Sequence, residues 1–381
     1  MLLALLACAS DYEILAAKPD VDPGLVTECD FTPLAGTKVS QYECNPVFDG
    51  GEAGAGSIAF HSTQVLGHPF YQLWYTDTVG AMNYAGSADG TDWQIHEQSP
   101  LFELEAGAWD QDSVSGQVVV WDPVEQEYIM SYQGINFGNP SDTYDDIWGI
   151  GVSTSPDGVS WTKHPNNPVI NFADYMLDEF EQLEVSFGGS LPSGKEIRPS
   201  WPLTITVDSR GGLRGYVGAS RWEDILNVDP FSTTGSYPQV DIYAMNGFSA
   251  GEWVLNSTAP VLSGGDAYDL YGMTGASVVE YNDVLYMFYI GFSMWEESAE
   301  IAGVISATQS TLNLATSVDG GSTWTKDPNN PIPINMTADL EVSDVGAQVI
   351  GSRIMLWVTD NYDDKSAVGY FYYEPEIEDH E

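Results

Sequence analysis

The chain has 381 residues, 43% of them apolar and 12% aromatic, and sets 11 Lys and Arg against 56 Asp and Glu for a formal net charge of −45. That much apolar side chain supports a large core and argues against disorder over most of the length. The charge excludes nucleic acid and anionic lipid surfaces as partners, since both need a basic footprint, and the acid excess reads mainly as a solvated surface.

The chain opens with Met1-Leu2-Leu3-Ala4-Leu5-Leu6-Ala7-Cys8. Leu5-Leu6-Ala7-Cys8 resembles the lipobox of bacterial lipoproteins, which implies acylation of Cys8. The apolar run is short for a signal segment and lacks a basic start; a start site assigned too late explains both. Residues 1–8 are therefore expected to be the end of a lipoprotein signal, and residues 9–35 an acidic tether. No other run approaches the ~18 apolar residues of a membrane span. Membrane contact is expected only through the lipid anchor, with the protein extracytoplasmic: at a bacterial outer membrane or cell surface, or secreted. Cys29 and Cys44 are candidates for a disulfide in such a compartment. No C-x-x-C pair suggests a thiolate zinc site.

From residue 36 to about 377 strand follows strand. Unit one offers Ser57 to Phe60, Tyr71 to Tyr75, Met82 to Gly86 and Trp93 onward. Unit two offers Gln117 to Trp121, Tyr128 to Tyr132, Trp148 to Thr154 and Trp161. Only Asp174 to Glu184 has helical periodicity. In unit three Ile242-Tyr243 and Trp253 flank a hairpin. Unit four has Ala276 to Tyr281, Leu285 to Ile290, Leu312 to Thr316 and Trp324; unit five has Gln348 to Ile350, Ile354 to Val358 and Ala367 to Tyr373. Second strands alternate at period two (Tyr128, Met130, Tyr132), as strands packed between neighbouring sheets do.

A motif punctuates these units. S-x-D-G-x-x-W occurs at Ser87 to Trp93 and Ser155 to Trp161, and with one extra glycine at Ser317 to Trp324. Each Trp precedes a proline by seven residues (Pro100, Pro168, Pro331), and Trp253 with Pro260 keeps the offset without the rest. Pro46 leads the series without a Trp. The units thus run near 46–100, 100–168, 168–260, 260–331 and 331–377, a repeat signature. Aspartate-glycine turns mark hairpins because glycine supplies the positive φ. Unit five lacks a Trp strand, and the segment Gly36 to Cys44 fits that place. The expectation is an all-β, five-bladed β-propeller whose ring is closed by an N-terminal strand completing the last blade.

Ile150 to Lys163, ending in Asn166-Asn167-Pro168-Val169-Ile170, resembles the blade repeat of the five-bladed propeller glycoside hydrolases. These form the arabinanase, levansucrase and invertase superfamily, which includes glycoside hydrolase family 43. The resemblance spans about residues 40–375. It implies three carboxylates on successive inner strands facing a central funnel: a base, a pKa-tuning Asp and a Glu acid. Paired-carboxylate hydrolysis needs one protonated and one ionised group. Glu52 precedes Gly56, and Asp112 precedes Gly116, by four residues; Glu196 leads into the inner strand of unit three beside Arg198. The resemblance assigns Glu52 as base, Asp112 as modulator and Glu196 as acid. Arg198, Trp109 and Trp201 are then candidate substrate contacts. Asp110, Glu181, Glu184, Asp269, Glu341 and Asp344 compete for the same roles. Two departures are plain: Glu52 stands where an Asp is usual, and unit five lacks the funnel His common in family 43.

Three functions follow. The first is a monomeric glycoside hydrolase acting on a neutral poly- or oligosaccharide. The second is a non-catalytic glycan-binding or interaction propeller. The third is a sialidase-like propeller, since Ser317 to Trp324 also matches the Asp-box, although sialidases carry six blades and an arginine triad. No cofactor is required by any of these; structural calcium is compatible with the acid content, though no EF-hand loop marks a site and the metal is unknown. Gly247 to Gly251 fits G-x-S-x-G, but it occupies a hairpin rather than a strand-to-helix elbow.

Overall fold

The computed structural model describes residues 29–49, 54–60, 71–76, 81–102, 104–136, 147–171, 197–207, 212–221, 239–249, 251–270, 272–297, 305–334, 342–362 and 365–375. Within them every regular element is a strand. Blade 1 is β4 (Gly54–Phe60), β5 (Tyr71–Thr76), β6 (Met82–Ser87) and β7 (Trp93–Ile95). Blade 2 is β8 (Ser113–Asp122), β9 (Glu127–Asn136), β10 (Ile147–Ser155) and β11 (Thr162–Lys163), with β12 (Ile170–Asn171) also on β10. Blade 3 is β13 (Ile197–Val207), β14 (Leu213–Arg221), β15 (Asp241–Ser249) and β16 (Glu252–Leu255). Blade 4 is β17 (Gly272–Tyr281), β18 (Val284–Glu297), β19 (Ile305–Ser317) and β20 (Thr325–Lys326). Blade 5 joins β21 (Val342–Ile350), β22 (Arg353–Tyr362) and β23 (Lys365–Tyr373) to β2 (Val39–Tyr42), with β1 (Phe31–Pro33) outside β2 and β3 (Phe48–Asp49) also on β23. The expected helix at 174–184 lies outside the described residues.

Five cores hold five blades, one at each interface. Period-two alternation explains how. On β9 Tyr128, Met130 and Tyr132 pack on Trp74, Met82 and Tyr84 of blade 1, whereas Ile129 joins Leu203, Ile205 and Val217 of blade 3. On β18 Met287 and Tyr289 turn to Tyr216 and Ala244, and Tyr286, Phe288 and Ile290 to Ile354, Leu356 and Val358. The fifth interface joins Trp357 and Tyr370 of blade 5 to Tyr71, Leu73 and Tyr75 of blade 1. Inner strands β4, β8, β13, β17 and β21 neighbour one another in that order, and β21 neighbours β4. The five blades therefore close into a ring, β21 of the last beside β4 of the first.

The S-x-D-G turn both folds a hairpin and ties blades together. Ser155 Oγ accepts from Gly158 N at 2.8 Å, while Asp157 Oδ1 accepts from Val159 N at 2.9 Å and Ser160 N at 2.6 Å. The copies at Ser87 and Ser317 repeat this, the extra glycine shifting the Ser317 Oγ contact to Gly321 N. The glycine then meets an aromatic ring of the preceding blade. Gly158 (φ +77°) sits against Trp74, whose Nε1 donates to Gly158 O at 2.8 Å; Gly90 (φ +81°) sits against Trp357, whose Nε1 donates to Gly90 O at 3.1 Å. A side chain at either glycine would be strained by φ and blocked by the ring. Gly321 stands likewise against Tyr216.

The proline after each hairpin has a matching job for its predecessor. Asn167 Oδ1 accepts from Val152 N at 2.9 Å and its Nδ2 donates to Val152 O at 2.9 Å; Asn330 does the same to Leu314. Asn45 grips Tyr370 of β23 through both N–H and C=O. These carboxamides pair like an added strand residue on the third strand. The peptide bonds to Pro46, Pro100, Pro168 and Pro331 are cis. Cys29 and Cys44 form a disulfide across the β1–β2 hairpin.

Candidate active site

The inner strands all enter the ring from one end, and each carries a register shift soon after it starts. The shifts fall between Ala55 and Ile58, Ser115 and Val118, Pro199 and Leu203, Thr274 and Ser277, and Val342 and Asp344. A bulge re-aims side chains and frees backbone groups from the ladder. Hydroxyls of neighbouring blades take up that freed backbone. Thr204 Oγ1 donates to Ala276 O at 2.8 Å, Thr76 Oγ1 to Val114 O at 3.1 Å and Ser131 Oγ to Leu203 O, while Ala347 N donates to Ser277 Oγ at 3.0 Å. Gln117 Nε2 adds a bond to Thr76 Oγ1. The start of the funnel is thus a braced ring, the kind of frame that holds a reacting group in place.

Asp112 and Asp344 are described carboxyl groups at this end. Asp112, exposed, immediately precedes β8; its N–H donates to Ile135 O at 3.0 Å, and Gln111 Nε2 reaches its Oδ2 at 3.4 Å. Asp344 is at the β21 bulge, opposite Thr359, and accepts from Val345 N at 2.8 Å. Burial pushes its carboxyl up to about 7, opposed only in part by that N–H. It is a carboxyl poised to hold its proton near neutral pH. β8 and β21 flank β4, so both acids border the strand that Glu52 leads into.

The remaining candidates separate clearly. Glu52, Glu196 and Cys8 lie outside the described residues, as do Glu181, Glu184 and Glu341. Arg198 is the second residue of β13, paired with Ser220, and Trp201 belongs to that strand's bulge. The Trp109 indole stacks on Tyr132 with centroids 5.7 Å apart, and its ring fills the space above Gly134 and Gly151. It is packed into blade 2.

Asp110 and Asp269 belong to the scaffold. Asp110 accepts from Tyr132 Oη at 3.0 Å and Lys163 Nζ at 2.7 Å. Asp269 accepts from Tyr289 Oη at 3.1 Å and pairs with Lys326 Nζ at 2.7 Å. Both aspartates are buried; burial, then the adjacent carboxylate, drives the two tyrosines above their ordinary range. The sequence holds a signal for this pair: Trp109-Asp110 with Thr162-Lys163 in unit two, and Tyr268-Asp269 with Thr325-Lys326 in unit four. Among the described residues no group of three or more His, Cys, Asp or Glu side chains is placed to hold a metal ion. Gly247 to Ser249 end β15 and Glu252 begins β16, so G-x-S-x-G lies in a hairpin.

No protein-family model matches the sequence. No curated protein matches it either. Solved structures do match in shape. One, described as a glycoside hydrolase, has a TM-score of 0.54 at 13% identity, covering 87% of this chain and 90% of that one. A second comes from work on mannoside phosphorylases of family GH130 that includes glycoside hydrolases targeting β-1,2 mannosidic linkages in Candida mannan; it has a TM-score of 0.53 at 15% identity over 94% of this chain and 98% of that one. A third, a xylan β-1,4-xylosidase from Bacillus halodurans, has a TM-score of 0.52 at 10% identity over 86% of this chain and 53% of that one. At such identities the likeness is one of fold, and it is extensive: this chain is a five-bladed β-propeller of the architecture used by those glycoside hydrolases.

Proposed function

We propose that the protein is an extracytoplasmic, lipid-anchored enzyme that hydrolyses a neutral poly- or oligosaccharide at the end of the axis where the inner strands begin. The observation that carries this reading is the place of Asp344, at the bulge of an inner strand with a single N–H donor, where burial pushes its carboxyl up to about 7. A glycosidic oxygen leaves only with a proton, and a group titrating near the working pH is the best donor. In this scheme Asp344 gives the proton to the leaving oxygen. Asp112 supplies negative charge and orients water, with Glu52 and Glu196 from the neighbouring blades as further carboxylates. Arg198 and Trp201, on β13, bind the sugar. Fold alone does not assign chemistry, so the argument rests on the carboxyl.

Glycan binding without turnover is the second reading. Its support is that Asp110 and Asp269, acids just ahead of inner strands, are consumed by lysine pairs. One experiment separates the two. Arabinan, xylan, fructan and mannan oligosaccharides are screened for both binding and reducing-end release, with Asp344→Asn and Glu196→Gln as controls. Hydrolysis lost in Asp344→Asn with binding retained supports the enzyme; binding without release by wild type supports the second reading. Palmitate labelling that is lost in Cys8→Ala tests the anchor.

A further inference from the structure

At the opposite end of the axis, where the inner strands finish, lies a cavity of about 570 Å³. That volume falls in the range of small-molecule sites. Its lining comes from the ends of β8, β13, β17 and β21 and from the hairpins that follow β13 and β17. One wall is polar and ordered by strand register. Thr206, Arg214 and Asn246 are consecutive cross-strand partners on β13, β14 and β15, and all three line the cavity. Directly opposed residues lie about 5 Å apart on one face, so a hydroxyl, a guanidinium and a carboxamide form a single row. Aliphatic lining comes from blade 4, where Val278, on the side turned to blade 3, and Leu285 are left partly uncovered.

Arg214 stands out in this acidic chain. Lys163, Lys326 and Arg353 each have a carboxylate partner. Among the described residues Arg214 makes no such ion pair; its guanidinium lies beside the Tyr216 hydroxyl at Gly321. A half-buried guanidinium is shaped for a two-point contact with a carboxylate. Glu280 and Asp283, exposed and also lining the cavity, disfavour any anion, and one of higher charge such as phosphate or sulfate more than a monoanion. A ring with hydroxyls on one side and C–H groups on the other matches the polar row and the aliphatic lining.

We propose that this cavity binds a sugar acid, a hydroxylated ring carrying one carboxylate, with the carboxylate on Arg214 and the hydroxyls on Thr206 and Asn246. The site is separate from the hydrolytic one and does not depend on it. The test is calorimetric titration of the full chain with sodium glucuronate and, in parallel, with glucose. Glucuronate is expected to bind at least tenfold more tightly than glucose. Arg214→Gln should remove that preference, and Leu285→Trp, which enlarges a lining side chain without touching charge, should abolish uptake of both. Asp344→Asn should leave glucuronate binding unchanged. Equal affinity for glucose and glucuronate, or glucuronate binding that survives either Arg214→Gln or Leu285→Trp, would overturn the proposal.

Discussion

The turn aspartates and Asp344 of the β21 bulge are the same residue type with pKa values moved in opposite directions. Asp157 is pushed up by burial, but the N–H groups of Ser160 and Val159 and the hydroxyls of Ser160 and Ser155 outweigh that and hold it below the usual carboxylate value. Asp89 behaves alike, and Asp319, bonded first by Thr323, is lowered too. Asp344 has one N–H donor against its burial, and rises to about 7. The number of donors aimed at a carboxylate, set against the water it loses, decides its charge. The turns aim several donors at their aspartates; the β21 bulge gives Asp344 one.

Four substitutions and a pH series sharpen that contrast. The largest effect is expected at the staple that the turn completes. Trp74→Ala removes a buried indole and its bond to Gly158, and should cost about 4 kcal/mol in urea unfolding. Lys163→Met leaves Asp110 buried beside Tyr132 without its cation. Because the lysine is 33% exposed, the loss should be about 3 kcal/mol, at the low end for a buried pair, measured the same way. Asp344→Asn should act on rate instead: turnover falls about 100-fold or more while the unfolding midpoint near pH 7 holds or rises. A rate loss explained by unfolding would erase the distinction between Asp344 and the turns.

The smaller effects are in pH dependence. Asp344 has a raised folded pKa, so the folded state keeps a proton that the unfolded chain has released. Stability should therefore decline as pH climbs from about 4 to about 7, by a few kcal/mol at most because Asp344 retains some solvent contact. Asp344→Asn should flatten that slope relative to wild type. Asp157 has the reverse sign. Its contribution is present above the ordinary carboxylate value and is lost as acid protonates the folded form. Asp157→Asn should cost about 1 kcal/mol at pH 6 and less at pH 2.5, by denaturant titration at both.

Much of the frame was legible in the sequence. The Trp-to-Pro offset and the aspartate-glycine turns mark blades 1, 2 and 4. The expected inner, second and third strands of units one, two, four and five fall inside observed ones, whereas the last strands of blades 2 and 4 begin just after Trp161 and Trp324. The inner strands begin earlier than their apolar runs because their starts, Ser113-Val114-Ser115 and Val342-Ser343-Asp344, place one buried valine among polar residues ahead of the bulge, too short a pattern to mark a strand. The candidate acids were harder. Asp110, Asp112 and Asp344 are alike as letters, and only the partners in space separate a lysine-bound strut from an exposed carboxylate and a retained proton. Those partners come from other blades or from a bulge that no local pattern encodes.

The central claim is that Asp344 donates the proton that releases the sugar. The direct measurement is kcat/KM of wild type and Asp344→Asn on two substrates: a natural oligosaccharide from the glycan screen, and an aryl glycoside whose nitrophenolate leaves without protonation. The account predicts that Asp344→Asn loses about 100-fold on the natural linkage and tenfold or less on the aryl glycoside. Equal losses on both substrates, or no loss on the natural one, would contradict it.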